Sequence, residues 1–241
     1  MVVWIVLFVL SFLVFLWFEF KKQYRLAFLF KGLTSLLFVS TAVWGRFVEG
    51  VGWNSNQIQF AALWITALIM GLLGDLFLVS GNGSPVTRFF QKIEESEIKT
   101  VDRMAGTISF AIAHVLNITA LLLISTLEWK AVLLSVVVTA VTFSAGIFFM
   151  KLKFGKLLIP SIGYSLLLFF FFGQALFGGF SLGTIQFHLM VLIGAFLFAL
   201  SDLVLTPILY GGKNLFSLKA INLTLYYAAQ IVLAFSIWYL A

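Results

Sequence analysis

Apolar residues run along this chain in eight long stretches separated by short polar connections. The stretches are Val2–Phe18, Leu26–Val43, Ile58–Val79, Met104–Leu127, Ala131–Met150, Leu157–Phe177, Phe187–Tyr210 and Ala220–Leu240. Each approaches or exceeds the roughly 20 apolar residues that a helix needs to cross a bilayer core. None alternates with period two, which argues against β-barrel strands. The pattern predicts an all-α, polytopic transmembrane helix bundle of eight spans, organised as a single integral membrane domain over residues 1–241. The first stretch carries no basic leader and no small-residue cleavage site, so it reads as a retained span.

Composition agrees with the pattern. Of 241 residues, 62% are hydrophobic and 10% charged, against about 45–50% and about 25% in a soluble domain. So few charges could not cover the surface of a soluble globule. The absence of cysteine excludes thiol nucleophiles, thiolate zinc sites and iron–sulfur clusters. The polar connections then orient the spans. Thirteen of the fifteen basic residues fall after odd-numbered spans: Lys21, Lys22, Arg25 and Lys31; Arg88, Lys92, Lys99 and Arg103; Lys151, Lys153 and Lys156; Lys213 and Lys219. Arg46 and Lys130 fall on the other side. By the positive-inside bias, the odd loops are cytoplasmic and both termini are not. The net charge of +6 is then a loop bias and not a sign of a nucleic-acid partner. The expected location is a membrane crossed many times, the plasma (cytoplasmic) membrane if the source is bacterial. In the longest connection, Ser80–Arg103, the opening Ser-Gly-Asn-Gly-Ser-Pro reads as a turn-rich linker. The charged stretch that follows reads as a short amphipathic surface helix.

Two acids stand apart from the other seven. Asp75 and Asp202 lie inside hydrophobic spans, where a carboxylate costs at least about 2.5–3.5 kcal/mol and is by default functional. Their plainer role would be interhelical hydrogen bonding. Both spans should run inward. At 1.5 Å per residue, Asp75 lies about 6 Å and Asp202 about 12 Å from the cytoplasmic ends, so both could share one cavity on that side. Further polar groups fall on single helix faces: Lys31, Thr34 and Ser35 in span 2; His114 and Asn117 in span 4, in line with Gly106 and Phe110; Asn222, Tyr226 and Gln230 in span 8. In lipid such groups need partners and should converge. Lys31 could equally snorkel to the interface, and the other polar stripes could serve as glue between helices. His188 lies near the outer end of span 7, far from the acids. The run Phe169–Phe172 reads as lipid-facing bulk or packing. The segment Gly71-Leu-Leu-Gly-Asp75 is echoed by Gly194 to Ser201-Asp202, a weak internal repeat. No Walker A, Rossmann or His-Glu-x-x-His signature is present.

Taken together, these residues resemble the YhhN family of eight-span membrane proteins, which includes the lysoplasmalogenases related to TMEM-eighty-six. The matching pieces, in order, are Phe30-Lys31-Gly32-Leu33-Thr34, Leu73-Gly74-Asp75, Phe110 to Ala113-His114, Gly194 to Ser201-Asp202, and Tyr226-Tyr227-Ala228-Ala229-Gln230. Departures are Lys31-Gly32 where the family pattern carries Lys-Pro, and Asn117 where an aromatic often stands. The resemblance implies a hydrolase that cleaves the vinyl-ether bond of a lysoplasmalogen, releasing a fatty aldehyde and glycerophospho-ethanolamine or glycerophospho-choline. The partners it implies are that lysophospholipid and the surrounding membrane lipids.

The residues suit such chemistry. A vinyl ether hydrolyses by protonation of its β-carbon, addition of water to the oxocarbenium ion and collapse of the hemiacetal. That calls for a general acid and a second carboxylate, the usual division of labour in acid–base pairs. The expected catalytic residues are Asp75 and Asp202; those expected to bind substrate are Lys31, Thr34, His114, Asn117, Asn222, Tyr226 and Gln230. Lys31 would meet the phosphate, and the single chain would lie between helices. No metal or other cofactor is called for. The rival reading is a proton-coupled transporter or lipid carrier using the same acids. The absence of Pro- or Gly-broken half-helices in the spans tilts against it.

Overall fold

The structure, a computed structural model, describes residues 2–49, 52–78, 84–86, 95–212 and 215–240. Among them are eight long helices, each long and apolar enough to cross a membrane, and no strands. They are α1 (Val2–Phe20), α2 (Tyr24–Glu49), α3 (Ser55–Phe77), α4 (Glu95–Ile124), α5 (Trp129–Ser144), α6 (Leu158–Phe177), α7 (Ile185–Tyr210) and α8 (Phe216–Ser236). The expected span count holds. Several ends move, because hydropathy marks the stretch that lies in lipid whereas the helix continues as long as its backbone bonds do. The largest shift is in α4, which starts nine residues before Met104. The charged stretch expected as a separate surface helix is, in its described part, the opening of α4. No Gly or Pro between Glu95 and Met104 interrupts the backbone ladder there. Residues 80–83 of the turn-rich opening, residues 87–94 of that connection and Lys213 lie outside the described residues. So does Val79, the expected end of span 3.

Local signals fix the helix starts that matter. Asn54 caps α3 in a reciprocal capping box: its side chain accepts from the Gln57 backbone N–H, and the Gln57 side chain accepts from that of Asn54. The Thr184 hydroxyl accepts from the Phe187 N–H at the start of α7. The α5 span does not finish as an α-helix. Residues Ala145–Phe149 form a turn of π-helix, a geometry to which hydropathy is blind.

Consecutive helices pair as α1–α2, α3–α4, α5–α6 and α7–α8, and the pairs join through α4–α6, α2–α3, α2–α8 and α6–α7. The least enclosed are α1 and α5; the most enclosed is α8. Large apolar side chains such as Phe148, Phe149 and Ile159 stand almost fully exposed, as they must on a surface that faces lipid. Within the run Phe169–Phe172, Phe169 and Phe171 are buried, so the run serves packing. The echoed glycines have one physical task. A Cβ at Gly71 would meet the side chains of Gln230 and Tyr226, and one at Gly194 would meet Leu233. Both bare helix faces therefore let α8 approach from opposite sides, as small residues do at membrane helix contacts.

Candidate functional site

The two span-embedded acids converge on one cavity. A space of about 380 Å³ is lined by Lys31, Asp75, Asp202, Ser201, Asn222 and Tyr226, with Phe110 and Phe198 among its apolar walls. Convergence follows from unequal helix ends. Asp75 is two residues from the end of α3, whereas Asp202 is eight from the end of α7. The extra turns of α7 run on beside the mouth, where Leu205, Ile208 and Leu209 form a wall. The rest of the mouth is charged: Lys99, Asp102 and Arg103 of α4, Glu19 of α1 and Lys219 of α8. Glu19 accepts from Lys219 Nζ at 2.7 Å, and the Asp102 carboxylate accepts from the Ser84 backbone N–H at 2.7 Å. These mouth residues were expected only as loop charges, because each sits at the polar edge of its span.

The two carboxyls are held differently. Asp75 is buried. Its Oδ2 accepts from Ser35 Oγ at 2.6 Å and from the Tyr226 hydroxyl at 2.9 Å, and Lys31 Nζ stands 3.4 Å from its Oδ1. Lys31 also donates to the Leu78 carbonyl, just past the end of α3. Asp202 is half-buried; its carboxylate accepts from the Tyr164 hydroxyl of α6, and its backbone carbonyl accepts from Thr206 at 2.7 Å. Among the described residues no cation lies within ion-pair distance of Asp202. Each acid is thus gripped by a tyrosine from a different helix, and each tyrosine has its own polar backing. Gln230 Nε2 donates to the Tyr226 hydroxyl at 3.2 Å, and His114 Nε2 lies 3.4 Å from that of Tyr164.

The expected binding residues sort by position. Lys31, Asn222 and Tyr226 line the cavity. The amide of Asn222 donates to the Ser201 carbonyl and hydroxyl, both at 2.9 Å, tying α8 to the turn of α7 that carries Asp202. Gln230 and His114 stand one contact behind it. Thr34 points away: its hydroxyl meets Ser11 Oγ at 2.8 Å and donates to the Phe30 carbonyl, so it joins α1 to α2. Asn117 is buried and lines no described cavity. His188 lies against the Leu182 carbonyl and the Phe180 ring, away from the acids. Sequence reasoning passed over Tyr164 altogether. The signal was available: Ser161, Tyr164 and Ser165 form an i, i+3, i+4 polar face in an otherwise apolar span.

No curated protein and no solved structure matches the chain. The model of the YhhN family does, over residues 26–237, a stretch that holds all the residues lining the acid cavity except Phe15, Glu19 and Tyr24. An eight-helix membrane bundle, two acids facing one cavity and this match agree, and the chain belongs to the YhhN family.

Proposed function

We propose that this chain is a lysoplasmalogenase-type hydrolase, cleaving the vinyl-ether bond of a lysoplasmalogen with Asp75 and Asp202. The observation that carries the reading is the single cavity lined by both acids beneath a charged mouth that includes Lys99 and Arg103. Family membership is consistent with it. An amphiphile with one chain and an anionic phosphate suits such a space, since Lys99 and Arg103 at the mouth and Lys31 below offer charge to the phosphate.

The roles we assign follow the contacts each acid makes. Asp75 faces an ammonium and two hydroxyl donors, so it acts as the carboxylate. Asp202 faces one tyrosine and no described cation, so it delivers the proton. Asp202 protonates the β-carbon of the vinyl ether, and the cation that forms is balanced by Asp75. Water adds to the oxocarbenium carbon and gives its proton to Asp75. As the hemiacetal collapses, Asp75 returns that proton to the departing glyceryl oxygen, while the hemiacetal hydroxyl proton restores Asp202. The products are the aldehyde and the glycerophospho-base, and both acids finish as they began. Tyr164 and Tyr226 act as positioning residues that aim the carboxyls.

Purified protein in detergent with lysoplasmenyl-ethanolamine tests the reading. Aldehyde release without any ion gradient is the expected result. Transport of the lipid in proteoliposomes with no aldehyde formed would replace the enzyme with a carrier.

A further inference from the structure

A second cavity of about 310 Å³ adjoins the first, and the two share Leu78, Phe110, Asp202, Leu205 and Leu209 as walls. Its other walls come from α4, α5, the π turn, the Met150–Phe154 connection, α6 and the last turns of α7. These are mostly apolar; Phe143, Leu152, Phe154, Leu168 and Phe169 dominate. Lysine, arginine and glutamate are missing from its lining, whereas the first cavity has all three. Asp202 therefore stands where a charged, polar space meets an apolar one. The π turn helps to make that room. Small Ala145 and Gly146 face inward on it, while Phe148 and Phe149 are turned outward and exposed. A π turn carries one extra residue per turn and recurs at functional sites.

We propose that this second cavity is the subsite for the substrate's hydrocarbon chain, with Ala145 and Gly146 of the π turn setting how long a chain it takes. The inference rests on the hydrolase reading for the position of the reacting bond. A lysoplasmalogen has its vinyl ether at the junction of a polar head and a single chain. With the head in the charged cavity and the chain in the apolar one, the alkenyl carbons lie beside Asp202, the group that must protonate them. At roughly 30 Å³ for each water-sized group, the space holds about ten such groups, enough for much of one chain. Thr142 and Phe143 of α5 and Ala145 and Gly146 of the π turn line only the second cavity and are not among the walls it shares with the first, so the chain's end is placed against them. Narrowing there should penalise long chains and spare the site of reaction.

Two measurements on the full-length protein test this. The first is aldehyde release from lysoplasmenyl-ethanolamines with short and long alkenyl chains. Ala145→Phe should lower the long-to-short ratio of kcat/KM by about tenfold, the equivalent of expelling roughly two methylenes at about 0.8 kcal/mol each. Phe143→Ala, which widens the same end, should shift the ratio the other way. A general folding defect would not move the ratio in opposite directions. Unchanged ratios in both variants would overturn the proposal. The second uses a non-cleavable alkyl-ether lysophosphatidylethanolamine with a diazirine at the chain end. Labelling should map to the inward residues of Thr142–Gly146 and to Phe154, and should leave them in Ala145→Phe. Labels confined to the lipid-facing surface would overturn the chain site even if aldehyde release is normal. Labels in the cavity with no aldehyde from any chain would instead remove the hydrolase reading and leave the chain site standing.

Discussion

Asp75 and Asp202 carry the same functional group in unlike surroundings, and their replacement separates chemistry from framework. Asn is nearly isosteric but neither delivers a carboxylic proton nor serves as base. Asp75→Asn and Asp202→Asn should each lower kcat by at least about 10²-fold, the lower range for lost acid–base catalysis. If the two act as a unit, the double variant should be scarcely worse than either single one. Each protein must first elute from detergent as one monodisperse species. A well-behaved single variant with near wild-type turnover would dismiss the paired-carboxyl mechanism. Lys31 is expected from its shallow place in span 2 to serve binding more than turnover. Its contacts with Asp75 and the Leu78 carbonyl add a second consequence, since removing the ammonium leaves a buried carboxylate without its counter-charge. Lys31→Met should therefore lower kcat as well as raise KM. A change in KM alone would return Lys31 to the phosphate. The candidate acids were legible in the sequence because a carboxyl inside an apolar run stands out. For Tyr164 the sequence offers only a polar face shared with Ser161 and Ser165, and its pairing with Asp202 is seen only in the packed bundle.

Among the helices, what matters is how near two backbones come. A Cβ at Gly173 of α6 would sit 2.8 Å from the Ala131 Cα of α5, against backbone that cannot step aside. A Cβ at Gly71 of α3 would sit 2.9 Å from Gln230 Nε2, the tip of a flexible side chain. The same substitution should then have two different outcomes. Gly173→Ala forces the α5–α6 pair apart, at a cost of about 1–3 kcal/mol, typical of overpacking, partly offset by the helix propensity of Ala, worth about 1 kcal/mol. It should lower the thermal midpoint in detergent. Gly71→Ala should hardly move that midpoint but should reduce aldehyde release, because Gln230 backs Tyr226 and Tyr226 holds Asp75. Equal thermal shifts and equal activities in the two variants would contradict this assignment. Neither glycine announces its neighbour in the sequence. A small residue says that something comes close, and only the packed bundle says whether that is backbone or side chain.

Across the whole molecule, the charged mouth of the cavity and the described basic residues of the odd-numbered connections lie at the same end of the bundle. The thirteen-to-two division of basic residues predicts that this end is cytoplasmic. A reporter fused after Ala241 should be found outside the cytoplasm, and one inserted at Gly83 inside it. The reverse pattern would place the substrate's approach in the other leaflet.

The sequence by itself determined the class of molecule, the number of spans and the two carboxyls that lie inside them, because the bilayer imposes severe rules. A span must be long and apolar, and a charge within it must have a reason. It did not determine which polar residues meet. Thr34 and Ser35 are adjacent in the chain, yet Thr34 binds α1 while Ser35 holds Asp75, since a helix turns about 100° per residue. Nor did it reveal Tyr164 behind Asp202, the α4 helix running on to the cavity mouth, or the π turn that opens the apolar space beside it. Those depend on how far each helix end extends and what lies across from it, and only the assembled bundle decides that.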